Sequence, residues 1–435
     1  MRNLTIALGL FALLSSRAVA ADVTTELPVI PDKQFNLHDF GAVGDGKTLN
    51  TDAFTKAVAA VEAAGGGRLD VPAGTYLTLP FNLTGKMDLH LEEGSVIQFP
   101  EDITAYGLPA SRSDANDEQM ATLNKKMPAL IGLHDATDIA ITGSGIIDGG
   151  GKGWWPLSAP APDGTRHTSY GNSRPKLIIL TNCRRIHITG VTIRSSPMYE
   201  LVPTLCHDVL IDKVRITAFE HGPNTDAIDP MACDKVVIRD CYLDVGDDNV
   251  AIKAIQGPCT NILVENCTCM HGHGISIGSE TYQGIHNVTV RNCTFDGTAN
   301  GIRIKSARDR GNDLYGFDFS NITMKNVTVG ITLNMYYMDR TGARGRQVKP
   351  VTKSTPTLHD VKITNVTATN CGTDGEITGL PESVVKDVTF ENVHLSGNKG
   401  FSVHDAEQII FKDVSFDAKT GEKYTEEFAK VDWQK

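Results

Sequence analysis

Nine times between Arg184 and Phe416 the chain returns to one ten-residue phrase. It reads RRIHITGVTI from Arg184, HDVLIDKVRI from His207, DKVVIRDCYL from Asp234, TNILVENCTC from Thr260 and HNVTVRNCTF from His286. It continues as YGFDFSNITM from Tyr315, HDVKITNVTA from His359, KDVTFENVHL from Lys386 and EQIIFKDVSF from Glu407. Successive starts lie 21 to 29 residues apart, except for one gap of 44 between Tyr315 and His359. Within each phrase apolar and polar residues alternate and then meet Asn, Asp or Gly, the pattern of a short strand with one buried face that ends in a turn. Helical spacing is absent. A strand recurring once per turn of about 25 residues buries its apolar face by stacking on the next copy, which predicts an all-β parallel β-helix with a continuous core. A β-propeller would need a period of roughly 40 residues or more and a blade motif, and the sequence has neither.

The eighth position of the phrase checks this register. It holds Val191, Val214, Cys241, Cys267, Cys293, Ile322, Val366, Val393 and Val414. Three cysteines thus share a column with Val and Ile, where a buried thiol behaves as a small hydrophobe. Stacked core thiols explain them better than disulfides or a metal site, and an odd total of nine cysteines rules out complete pairing. Cys267 and Cys269 fall on one face of a strand, but no matching pair follows to complete a zinc set. Ahead of the repeats, Asn50-Thr51-Asp52 followed by AFTKAVAAVEAAGGG predicts a capped amphipathic helix ending at Gly65. Such a helix would plug the first coil, whose open end would otherwise template aggregation. The stretches Glu101 to Met127 and Arg340 to Lys349 read as polar insertions. No linker divides residues 21–435, which are expected to form one β-helix domain.

Residues 1–20 read as an export signal, with Arg2, an apolar run from Leu4 to Leu14 and the small-residue cleavage site Ala18-Val19-Ala20. The run is too short to span a bilayer, and Arg17 is an atypical residue beside the cut. The expected product is soluble and either secreted or periplasmic. The whole chain carries 41 basic and 52 acidic side chains, a formal −11. Loss of Arg2 and Arg17 takes this to about −13, a balance that argues against nucleic acid as partner. Taken globally, it also argues against a polyanionic ligand.

Four segments on consecutive repeats could carry chemistry: Asn224-Thr225-Asp226, Gly246-Asp247-Asp248, Gly272-His273-Gly274 and Arg303-Ile304-Lys305. Asp226 to Asp248 is 22 residues, Asp248 to His273 is 25, and His273 to Arg303 is 30, one repeat each. Residues one repeat apart sit on neighbouring strands about 4.8 Å apart, so all four segments can share one face. Taken singly, each Asp reads as a solvated turn residue, His273 as a structural turn histidine, and Arg303 with Lys305 as a solvated charge pair. Together, three acids on adjacent coils repel one another unless a proton is shared or function requires them. Paired carboxylates are what glycoside hydrolysis needs, one protonated to donate to the leaving oxygen and one ionised to activate water.

NTD, GDDNVAIK, GHGISIGS and RIK, in that order and spacing, resemble the signature of glycoside hydrolase family 28, the polygalacturonases of pectin breakdown. The opening FNLHDFGAVGDGKTLNTDAF and the segment GSGIIDGGGKGWW resemble the same family, so the likeness covers nearly all of the mature chain. The resemblance implies a right-handed parallel β-helix and inversion at the anomeric carbon, without metal or cofactor. Carried over residue by residue, it makes Asp247 the general acid, with Asp226 and Asp248 holding and deprotonating the attacking water. The division is physically reasonable, since two neighbouring anions favour the neutral form of a third carboxyl. His273 would support the acid by hydrogen bonding. Arg303 and Lys305, pointing to one face of a strand, would grip the galacturonate carboxylate through a planar fork and a point charge. Asn224 would orient Asp226 or contact sugar. In GITLNMYY, Tyr337 aligns with the family's substrate-contacting tyrosine, and Tyr336 competes for that place.

Fungal members carry a cysteine just after the two aspartates, paired with one just before GHG. Asn249 stands at the first position here while Cys269 remains near the second, so that disulfide is not expected and the sequence looks bacterial in style. Several Asn-x-Thr sequons, including those at Asn287 and Asn365, fall inside the repeat phrase, where strand chemistry explains them better than glycosylation. The expected partner is pectin, polygalacturonate or oligogalacturonides, bound by a monomer with no membrane contact. Three alternatives stay open: a rhamnogalacturonan or xylogalacturonan hydrolase of the same family, a calcium-dependent pectate lyase, and a non-catalytic carbohydrate-binding solenoid. Endo and exo attack are both compatible with the sequence.

Overall fold

The computed structural model describes residues 23–109, 127–158, 174–338 and 346–434. The expected leader, most of the Glu101–Met127 insertion and most of the Arg340–Lys349 loop lie outside these residues. The strands form a right-handed parallel β-helix with three faces. On the first face one register line runs unbroken through Gln34, Arg68, Asp88, Ala140, His187, Leu210, Val237, Leu263, Thr289, Asp318, Lys362 and Thr389. The phrase starts Arg184, His207, Asp234, Thr260, His286, Tyr315 and His359 share a second line. Phrase and coil therefore coincide. The 44-residue gap is absorbed without loss of register, because Asn312–Lys325 pairs directly with Pro356–Thr378.

The helix also begins earlier than the phrase does. Gln34–Asn36, Gly67–Val71, Met87–Leu91 and Thr137–Gly143 supply first-face rungs ahead of Arg184. Glycines and uneven coil lengths hide these rungs from a search for the phrase.

The composition of the phrase has a backbone cause. Its second and seventh residues are left-handed in all nine copies, with φ between 52° and 77°. Asn, Asp and Gly tolerate that conformation best, and a left-handed residue at each end turns the chain out of one face and into the next. The seventh-position amides also bond along the axis. Asn266 Nδ2 donates to Asp240, Asn292 to Asn266, Asn321 to Asn292, Asn365 to Asn321 and Asn392 to Asn365, at 2.8–3.3 Å. The amides of Asn287 and Asn365 are both used this way, Asn287 donating to Asn261 at 3.2 Å.

Between the two turns, the fifth phrase residues stack inward as Ile188, Ile211, Ile238, Val264, Val290, Phe319, Ile363, Phe390 and Phe411, each fully buried. Cys241, Cys267 and Cys293 join the core, and all nine cysteines are free and buried.

The N-terminal helix spans Thr51–Ala63 and lays Phe54 on Phe81, ring centroids 4.6 Å apart. It ends as expected, with Gly65 left-handed at φ 80°. Its start differs from expectation, because Asn50 makes no side-chain cap. The Asn50 amide is spent instead on Val43, Thr48 and Leu77, tying the helix entrance to the first coil. Among the described residues no helix is long and apolar enough to cross a membrane.

Candidate active site

The third face carries the four motifs. Among its rungs, Leu201–Thr204 and Val250–Ile252 are joined by single bridges through Ile228 and Met231, while Val250–Ile252, Ile275–Gly278, Asn300–Lys305 and Val329–Asn334 pair in parallel, each with the next. Leu201, Ile228, Val250, Ile275, Ile302 and Ile331 form its apolar line. Asp226, Asp248 and His273 each stand two residues ahead of this line, in the turn entering the face. Arg303 and Lys305 stand one and three residues beyond it on the neighbouring rung. The spacing of about one coil thus brings the sequence-predicted residues to one end of one face.

Backbone bonds fix these turns. The Ala227 N–H donates to the Asp248 carbonyl and the Asn249 N–H to the Gly274 carbonyl, both at 2.9 Å. Asn249, at the position of the fungal cysteine, staples coils in place of a disulfide. Its amide donates to the carbonyls of Leu243 and Met270, and its oxygen accepts the Gly274 N–H at 2.8 Å. Gly272 and Gly274 are both left-handed, and a Cβ on Gly274 would strike the Asn300 carbonyl. The GHG motif is therefore needed to let His273 approach the acids.

Adjacent Asp247 and Asp248 meet different surroundings. Asp248 is 3% exposed and accepts from Lys305 Nζ at 2.8 Å and Ser276 Oγ at 2.8 Å, with Arg303 Nη1 at 3.6 Å. Burial alone would raise its pKa, but the cations of Lys305 and Arg303 outweigh that and hold it at about 2. Asp247 is more open. Its Oδ1 accepts the Asp248 N–H at 2.9 Å and lies 2.9 Å from His273 Nδ1. Among the described residues its Oδ2 has only a long contact, 3.5 Å, from the Asn224 amide.

Asp226 is 3% exposed, and its Oδ1 is buried without a hydrogen-bond partner among the described residues. Its Oδ2 accepts from Lys253 Nζ at 3.2 Å, and the same ammonium donates to Asp229 Oδ2 at 2.6 Å. Burial, then the neighbouring Asp229 anion, push the Asp226 carboxyl well above the usual range despite Lys253.

Tyr337 projects its ring among cations, 5.3 Å from Lys305 Nζ and 5.5 Å from the Arg303 guanidinium. Tyr336 is 6% exposed and faces away, packing under Arg308. Asn224 lies next to Asp247 rather than Asp226. Its oxygen accepts from Arg174 at 2.9 Å, and Arg174 also donates to the carbonyls of Pro197 and Pro223.

Lys253, Asp229, Ser276 and Arg174 went unremarked in the sequence. The first two left a signal, because a charge inside the apolar strings DAID and NVAIK must find a partner when buried. Arg174 left none, since its role depends on carbonyls 23 and 49 residues away.

Donor atoms of Asp247, Asp248 and His273 lie within 4.8 Å of one another. A metal cation there would compete with Lys305 and Arg303 for Asp248, so the donor set does not call for one. Within the Arg340–Lys349 loop, Arg346 is committed to Asp405 at 2.8 Å and to the Phe428 ring, over coils C-terminal to the acids.

The sequence profile of glycosyl hydrolases family 28 matches residues 66–426. A probable polygalacturonase of Vitis vinifera is 30% identical over 82% of this chain and 73% of its own length. The endo-polygalacturonase of Pectobacterium carotovorum subsp. carotovorum is 28% identical over 92% of this chain and 96% of its own. A solved structure, the hyperthermoactive exopolygalacturonase from Thermotoga maritima, shares 27% identity at a TM-score of 0.73, covering 89% of this chain and 94% of that one.

Proposed function

The chain belongs to family 28 of the glycosyl hydrolases, and from that premise and the geometry of the third face we propose a polygalacturonase that hydrolyses α-1,4-galacturonosidic bonds with inversion. The observation that carries this reading is the meeting of Asp226, Asp247 and Asp248 with Arg303 and Lys305. Acid–base groups for glycoside cleavage and cations for a uronate carboxylate share one end of one face.

In this reading Asp247 carries a proton on Oδ2, the oxygen with no close partner, and donates it to the glycosidic oxygen. Asp226 and Asp248 hold a water whose oxygen attacks the anomeric carbon from the opposite side. Asp226, acting in its ionised form, and Asp248 take its proton as the glycosidic bond breaks, and solvent exchange then restores the starting protonation. The unpartnered Oδ1 of Asp226 supports a water site there, since a buried carboxylate oxygen needs a donor. His273 holds Asp247, and Asn224 limits its swing. Arg303 and Lys305 bind the substrate carboxylate, and Tyr337, rather than Tyr336, packs on the sugar. The substrate is the galacturonan of pectin, taken up by a monomer without nucleic acid or membrane. Residues 1–20 are the export leader and 21–435 the catalytic β-helix, acting in the periplasm or outside the cell.

Incubation with polygalacturonate tests this. Reducing ends should accumulate without an ultraviolet-absorbing unsaturated product, and the newly formed anomer should be inverted. An unsaturated product would instead mean β-elimination by a lyase. Early release of long oligomers would mean endo attack, and of monomer or dimer alone, exo attack.

A further inference from the structure

We propose that Lys253 and Asp229 form a positioning clamp behind Asp226, fixing the orientation and the charge of the carboxylate that meets the attacking water. The proposal rests on the functional reading above for the role of Asp226, and on geometry for the clamp itself. Lys253 is 5% exposed, Asp226 3% and Asp229 fully buried. One ammonium therefore serves two carboxylates, at 3.2 Å and 2.6 Å, in a nearly fully buried site. Its remaining side is closed by the face of Tyr199, 4.3 Å from Nζ, whose ring is also approached by Lys176 at 4.7 Å.

Each carboxylate binds the ammonium through Oδ2 and leaves Oδ1 buried without a partner among the described residues. For Asp229 that oxygen has no catalytic use. For Asp226 the clamp turns the unoccupied oxygen away from Lys253 and leaves it available to water.

The charge balance makes the clamp more than packing. One cation cannot neutralise two buried anions, so the pair retains a proton in mildly acidic solution. Burial raises the Asp229 carboxyl to about 6 in spite of Lys253. The other charged and titratable groups facing the pair are Asp247, Asp248, Arg174 and Lys176, with Glu280 acting on Tyr199.

The full chain carrying Lys253→Met or Asp229→Asn tests the clamp through two readouts. The first is stability against pH by urea unfolding. A carboxyl raised above its unfolded value contributes stability below about 4 that is lost as pH rises through about 6. The wild type should show that decline, Asp229→Asn should lose the part near 6, and Lys253→Met should extend it to higher pH. The second is kcat/KM on polygalacturonate against pH. Loss of the cation should move the acidic limb up by about 1–3 pH units, and loss of the neighbouring anion should move it down. Limbs that stay in place while kcat falls, or that move in the same direction, would overturn the proposal. If Lys253→Met does not fold, Asp229→Asn decides alone: a downward limb supports the clamp and an unmoved one overturns it. A wild type inactive on polygalacturonate would sink the functional reading, while the stability profiles would still decide whether the clamp exists.

Discussion

Asp247 and Asp248 are neighbours in sequence, yet the turn entering the third face gives them opposite tasks. Asp248 points inward to Lys305, Ser276 and Arg303, whereas Asp247 is partly open to solvent with His273 beside it. Asp247→Asn keeps the shape and removes the transferable proton. Turnover on polygalacturonate should fall by about 10²–10⁴-fold with far-ultraviolet circular dichroism unchanged; normal hydrolysis would remove Asp247 from the acid role.

The ion pair of Lys305 and Asp248 implies a second effect. A substrate carboxylate arriving at Lys305 and Arg303 competes with Asp248 for them, so the base becomes a better proton acceptor once substrate is bound. A methyl ester on that galacturonate removes the competitor, so kcat should drop as well as affinity. A change in KM alone would show that the two cations only bind. The type and spacing of these residues were readable in the sequence. Which oxygen of each carboxylate faces which donor was not, because Lys253, Asp229 and Arg174 reach the site through contacts set by packing.

At the scale of the elements, the phrase is a record of backbone geometry. Its alternation marks the rung, and its Asn, Asp or Gly residues mark the two left-handed turns that bound it. That is why the coils from Arg184 onward could be read directly, while Gly67–Val71 and Met87–Leu91, bounded by glycines and a lysine rather than asparagines, could not. Asn50 fails as a cap for a similar reason: the Val43 N–H on the first coil takes the Oδ1 that would otherwise accept from the helix terminus.

The asparagine ladder gives a quantitative test away from the cleft. Asn321 is left-handed at φ 55°, donates to Asn292 and accepts from Asn365. Asn321→Ala keeps the strained backbone and loses both bonds, which should cost about 1–2 kcal/mol in denaturant unfolding. Asn321→Gly accepts the conformation and should cost less. Equal losses for the two variants would assign the stabilisation to the amide bonds and none to the turn.

For the whole molecule, net charge and substrate seem at odds. A chain of formal −11 is proposed to bind a polyanion. The resolution is that potential is local. Arg303 and Lys305 stand together at the acids, and Arg310 approaches the same Tyr337 ring at 5.7 Å, whereas many carboxylates lie on other faces of a long solenoid. Contacts within the cleft act over a few ångströms, but repulsion from distant acids acts over a Debye length, about 10 Å in 0.1 M salt. Moderate salt should therefore screen the repulsion before it weakens the grip. KM for polygalacturonate should first fall as ionic strength rises from a few millimolar toward about 0.1 M, then rise as the cations in the cleft are screened in turn. The same titration with Lys305→Met should keep the initial fall, because the distant acids are untouched, and flatten the later rise. A KM that climbs from the lowest salt onward would mean that the basic patch dominates the field at every distance the polymer samples.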